Sequence, residues 1–248
     1  MKANRGKSFL LLLFIAALPL AYNQCSGGLA PNKISGSNSQ QSLAISDCPS
    51  VADSALSDLK TIDDAVRLAN ALPKPLTVDC FVANIKKPLK VFAVDNPFSA
   101  QPSFGVNSPR IFIISNNLTI SVVPDGAGKD FIEFSLITNS MTSVKGEFAF
   151  PITNQLAADL PYSRILEKPF GTSCRVCHQN ENRNTSITAG EAYNSNILTP
   201  DPFKRISQSY LRSQAQICAQ DDNFRCRLLK AIYIDGQASD GNFPTEPN

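Results

Sequence analysis

The chain has 248 residues, 43% of them hydrophobic, which is enough apolar material for one large or two small packed domains and excludes a disordered protein. Its formal charge is +2, but setting aside Lys2, Arg5 and Lys7 at the amino terminus leaves 20 of the 23 basic residues against 21 acidic ones, a net of −1. A general electrostatic attraction to nucleic acid is therefore not expected.

Residues 1–24 have the order of an export signal: the three basic residues, then an apolar run from Phe9 to Ala21 interrupted by Pro19 and too short for a spanning helix. Cys25 follows, then Ser26, Gly27 and Gly28, and this junction resembles the processing site of bacterial lipoproteins, in which the cysteine is lipidated and becomes the first residue. Tyr22, Asn23 and Gln24 depart from the branched and small residues preferred there. The other reading is cleavage near Ala21 with Cys25 left as an ordinary thiol. The resemblance implies an exported protein of the bacterial envelope, anchored to a membrane by lipid and facing the periplasm or the cell exterior. Residues 25–47 are rich in Ser, Asn, Gln and Gly, the composition of a flexible tether. Such a segment spans about 25 Å on average, enough to hold a folded body clear of a surface.

Residues 48–155 are expected to form a β-rich domain with a leading helix. Leu56, Leu59, Ile62, Val66, Ala69 and Leu72 recur at helical spacing from Ser54 onward, and Pro73 and Pro75 end the pattern. The period then changes to two. Leu118, Ile120 and Val122 alternate with Thr119 and Ser121; Ile132, Phe134 and Leu136 with Glu133 and Ser135; Val144, Phe148 and Phe150 with Lys145, Glu147 and Ala149. Asn116-Asn117 separates the apolar run 110–115 from 118–123 as a tight hairpin would, and 124–128 marks the next reversal. With Leu76 to Val82 and Leu89 to Val94 these make about six strands with short connections, the pattern of an antiparallel β-sandwich or barrel-like domain. Cys80 is placed on the face of Val78 and Val82 in the first of them.

The strings Leu72-Pro73-Lys74-Pro75, Ser99-Ala100-Gln101-Pro102, Ser108-Pro109-Arg110-Ile111-Phe112 and Lys145-Gly146-Glu147-Phe148 resemble those of uncharacterised exported bacterial proteins that carry a haem attachment motif after a β-rich region. The resemblance implies that architecture and no particular reaction.

Pro161, Pro169 and Gly171 put a domain boundary between about 152 and 170. Beyond it, 165–240 reads as a small, mainly α-helical haem domain, so that the whole is an α+β chain. Its centre is Cys174-Arg175-Val176-Cys177-His178, which holds the only histidine immediately after a closely spaced cysteine pair. This is the c-type haem attachment pattern. The two thiols can form thioethers to the two vinyl groups of one porphyrin, and the following imidazole is the proximal iron ligand. Residues 180–196 read as polar and irregular. Asp201-Pro202 caps a helix whose apolar face is Phe203, Ile206, Tyr210 and Ile217, and a second helix runs from Asp222 to about Tyr233 with Phe224, Leu228, Ala231 and Ile232 inward. The tail from Gly236 is expected to fray.

Once Cys25 is assigned to lipid and Cys174 and Cys177 to haem, Cys48, Cys80, Cys218 and Cys226 remain, an even set suited to two disulfides in an oxidising compartment. Of the three pairings, proximity in sequence favours Cys48 with Cys80 and Cys218 with Cys226. The distal side of the iron is open. Its candidates are Met141, the only methionine after the signal, a Lys or Tyr side chain such as Tyr193 or Tyr210, or no ligand at all.

The function expected is one-electron transfer by one covalent haem c, with a redox partner protein that the residues do not identify. A five-coordinate haem sensor or peroxidase-like protein is one alternative. The other is a binding or structural lipoprotein in which Cys174 and Cys177 form a disulfide. Zinc lacks a second matching cysteine pair, and the Asp235 to Gly241 stretch lacks the acid spacing of a calcium loop.

Overall fold

The computed structural model describes residues 48–218 and 221–243. The expected signal segment and tether, and the lipidation candidate Cys25, lie outside the described residues. Five strands follow one another as an antiparallel meander: β1 (Lys90–Val94), β2 (Arg110–Ser115), β3 (Leu118–Val122), β4 (Phe131–Ile137) and β5 (Thr142–Ala149). The β2–β3 reversal is the Asn116-Asn117 turn, with Asn116 at φ +55°, a conformation asparagine tolerates better than most side chains. A hairpin of β6 (Asn182–Asn184) and β7 (Ala192–Asn196) pairs antiparallel with β5, and β8 (Ser239–Asp240) pairs parallel with β1. The result is one open eight-stranded sheet in the order β6-β7-β5-β4-β3-β2-β1-β8.

Because side chains alternate along a strand, each strand of the meander presents two different surfaces. Val91, Ile113, Ile120, Phe134, Val144 and Phe148 point to one face and are buried in the main core. Four helices cover that face: α1 (Ile62–Ala71), α2 (Val78–Ala83), α5 (Gln208–Ile217) and α6 (Phe224–Tyr233). Helix α1 starts where a capping box permits: Thr61 Oγ1 accepts from the Asp64 N–H, and the Asp64 carboxylate accepts from the Thr61 N–H. Gly146 on β5 allows a close approach, since a Cβ there would lie 3.1 Å from Pro161 Cβ and 3.3 Å from Ile62 Cδ1. Phe81, Phe148 and Phe150 meet edge to face between α2 and the sheet. Asp79 of α2 forms a buried 2.8 Å ion pair with Arg227 of α6. Cys48 and Cys80 are joined, as are Cys218 and Cys226, each with Cα atoms 5.2 Å apart.

Several expectations are corrected. The segment Leu76 to Val82 is not a strand. Leu76 makes one bridge to Ile152, and the chain then turns into α2, so Cys80 sits on a helix. Its apolar run is short enough to satisfy either period, and packing against α6 decides for the helix. The first helix begins at Ile62 rather than Ser54, a separate 3-10 turn (Ser54–Ser57) preceding it.

Residues 180–196, expected to be irregular, contain β6 and β7. The tail beyond Gly236 contributes β8, and Phe243 packs on Phe92 and Phe112. Phe203 and Ile217 are exposed, 97% and 77%, and the buried face of α5 is Leu211 and Ala215, because Asp201-Pro202 caps only a 3-10 turn and Ser207 starts the helix. There is neither a sandwich nor a separate helical unit after residue 165 among the described residues: β6 and β7 extend the meander's own sheet, and α5 and α6 enter the same core.

Candidate functional site

The second face of the sheet is different in kind. At the β1–β2 end it carries a small apolar cluster of Phe92, Val94 and Phe112. Toward β5 it carries Thr119, Ser121, Glu133, Ser135, Ser143, Lys145 and Glu147, most of them buried. Burying polar and charged groups in number is unfavourable unless each finds a partner. Here most do. Arg110 donates to Glu133 at 2.6 Å, to Ser121 at 2.7 Å and to Ser99; Gln101 accepts from Ser121 at 2.7 Å; Arg164 pairs with Glu147 at 3.0 Å. Lys145 donates to Ser143 at 2.6 Å and Ser135 at 2.9 Å, and among the described residues no carboxylate lies within ion-pair distance of it.

What covers this face is the stretch after α3 (Leu160–Ser163), leading into α4 (Arg175–His178). Gly171 turns at φ +98°, and a Cβ there would collide with the Glu181 carboxylate. Glu181 in turn accepts from the Thr172 N–H at 2.7 Å and from the Thr172 hydroxyl. Cys174 occupies the cap position of α4, and its carbonyl accepts from the N–H groups of Cys177 (3.2 Å) and His178 (2.9 Å). One helical turn therefore carries both cysteines and the histidine. The turn ends abruptly, with Gln179 and Asn180 at φ +43° and +50°.

His178 Nδ1 lies 2.9 Å from the backbone oxygen of Asn196, at the end of β7. A carbonyl oxygen only accepts, so Nδ1 carries the proton and Nε2 keeps its lone pair. Burial and, next, the Lys145 ammonium push the His178 pKa down to about 4, against the opposing pull of the Asn196 carbonyl. The imidazole is therefore neutral near pH 7. Burial likewise takes Lys145 down to about 8, opposed by Cys174 and Glu133. Glu147 is pushed up to about 7 by burial and by Glu133, with Arg164 opposing.

Cys174, Cys177 and His178 line one cavity between α4 and the polar sheet face, together with Arg110, Glu133 and Lys145. The cavity, open on one side, measures about 170 Å³, less than the roughly 300 Å³ at which pockets begin to bury a drug-sized ligand. Phe98 and Leu198 form an exposed rim on its open side. Two thiols and one tautomer-fixed imidazole from a single helical turn line this cavity, and these are the donor types that could hold a covalent haem. The distal candidates named from sequence do not converge there. Met141 sits in the β4–β5 turn, 74% exposed and outside the cavity lining. Tyr193 donates its hydroxyl to Glu191 and Tyr210 to Asn107, both away from the cavity.

Sequence reasoning missed the floor of the site. Arg110, Glu133 and Lys145 occupy alternating positions that ordinarily face water. The signal was in the register: counting back from the turns puts Glu133 opposite Glu147, two carboxylates on adjacent strands that need a special environment. No family model, no curated protein and no solved structure matches the chain. No helix among the described residues is long and apolar enough to cross a membrane.

Proposed function

We propose that the protein is an exported, lipid-anchored c-type haem protein of the bacterial envelope that carries single electrons. The observation that carries this reading is the convergence of Cys174, Cys177 and His178 on one cavity, with Nε2 of the histidine left as the lone-pair donor. A haem held there would supply a one-electron iron(III)/iron(II) couple.

The remaining roles belong to the chain. Cys174 and Cys177 would hold the group covalently, each thiol adding its sulfur and its hydrogen across one vinyl C=C bond, with no net oxidation or reduction. His178 would hold the iron through Nε2, while the Asn196 carbonyl, accepting the Nδ1 hydrogen, fixes its ring and raises its basicity. Aromatic side chains on the cavity face, Phe112 and Phe243, would limit water, and the charged floor of Arg110, Glu133 and Lys145 would set the local field, which together would tune the potential. Two disulfides agree with folding in an oxidising compartment, and Cys25 with its preceding apolar run supplies the anchor. The electron donor or acceptor is a second protein reached at the envelope.

The test is to express the full chain, signal included, in a bacterium that matures c-type cytochromes, and to record the reduced pyridine haemochrome spectrum. A spectrum of porphyrin with both vinyl groups saturated is expected. Absence of haem, or a spectrum of unmodified vinyls, would overturn the proposal. In the same host, Cys25→Ser is expected to move the protein from the membrane fraction to the soluble fraction; unchanged membrane association would refute the lipid anchor.

A further inference from the structure

Two nitrogen donors with an available or recoverable lone pair line the cavity beside the attachment cysteines: His178 and Lys145. Arginine is not a third, because its guanidinium stays protonated. Lys145 is set apart from the other charges of the floor. Glu133 has Arg110 and Glu147 has Arg164, whereas Lys145, 8% exposed, has two serine hydroxyls and no carboxylate within ion-pair distance among the described residues. An ammonium held in a protein interior without a carboxylate at ion-pair distance is unfavourable, and such a group is a candidate for a role at the site it faces. The site it faces is the one His178 and Cys174 also line, and the three line a second, smaller pocket as well. Met141, Tyr193 and Tyr210 are absent from the lining of either.

We propose that Lys145 supplies the second axial ligand to the iron held by His178. The inference rests on the covalent-haem reading above. On ligation the Lys145 ammonium gives up one proton to solvent, and the nitrogen lone pair forms the coordinate bond, so the iron keeps its oxidation state. The consequence is a six-coordinate, low-spin iron with His and Lys ligands, closed to peroxide and diatomic gases and suited to carrying electrons. Ser135 and Ser143 hold the amine in place by accepting its remaining hydrogens. The absence of a second histidine and the exposure of Met141 are then no obstacle to a closed iron site.

The test compares the holoprotein with its Lys145→Ala, Lys145→Arg and Met141→Ala variants by visible and near-infrared absorption and electron paramagnetic resonance. The wild type is expected to be low-spin and Met141→Ala indistinguishable from it. Lys145→Ala is expected to lose the low-spin signal and shift its Soret band to the high-spin position. Lys145→Arg keeps the cationic head on the sheet floor and cannot ligate, so it isolates ligation from charge and packing; it too is expected to be high-spin. Circular dichroism confirms that each variant is folded. A wild type that is already high-spin, or a low-spin spectrum that survives both lysine substitutions, would overturn the assignment while leaving the covalent haem intact. A wild type without covalent haem overturns the assignment together with the reading it rests on.

Discussion

His178 is constrained on the side away from the cavity: its Nδ1 proton is committed to the Asn196 carbonyl, and burial keeps the ring neutral. At a single residue this leaves a nitrogen able to act as a ligand, because Nε2 is unprotonated over the whole neutral range. Glu147 illustrates the opposite strain on the same face. Its carboxyl, ordinarily near 4.5, is pushed up to about 7 by burial and by Glu133 despite the Arg164 pair. Between these values the folded protein binds more protons at this site than the unfolded chain does, so the site's contribution to stability falls as pH rises. Urea denaturation at intervals from pH 4.5 to 7 is expected to show this decline in the wild type relative to Glu147→Gln, whose amide does not titrate. Parallel pH profiles for the two proteins would refute the assignment.

The elements differ in how plainly their residues announce them. Strands β2 to β5 were legible because Leu118, Ile120, Ile132 and Phe134 alternate with polar residues, and the Asn116-Asn117 turn joins the first of these runs to the apolar run 110–115. Helix α2 was not, since Val78, Phe81 and Val82 form a run too short to define a period. Strands β6 and β7 have almost no apolar side chains; backbone pairing to the open edge of β5 makes them, and that edge exists only in the assembled sheet. The Cys174-to-His178 string stood out in the sequence, and α4 places it on one turn, whereas the Asn196 partner of His178 arrives through β7 and had no local signal. Helix α1 carries the clearest start signal, the Thr61/Asp64 capping box. Thr61→Ala is expected to lower stability by about 1 kcal/mol, measured by chemical denaturation, with the site's spectrum unchanged. A loss within error of zero would mean that tertiary packing alone sets this helix start.

At the scale of the whole molecule, one sheet separates two environments. Helices α1, α2, α5 and α6 bury its apolar face, and both disulfides belong to that helical side: Cys48–Cys80 ties the incoming chain to α2, and Cys218–Cys226 ties α5 to α6. The opposite face floors the cavity beneath α4. Stability and chemistry are therefore expected to separate. Replacing Cys48 and Cys80 together by serine should cost about 2–4 kcal/mol of unfolding free energy and leave the absorption spectrum of the folded protein as it was. A spectral change in that double variant would show that the two faces are coupled. The claim on which the rest depends is the proposed covalent bond between the chain and a haem. Denaturing mass spectrometry of the protein matured in a cytochrome-c-producing host tests it directly. The account predicts one haem retained per chain, reduced to a single thioether in Cys174→Ser or Cys177→Ser and lost on denaturation when both are replaced. A wild-type chain with the mass of the bare polypeptide would contradict it.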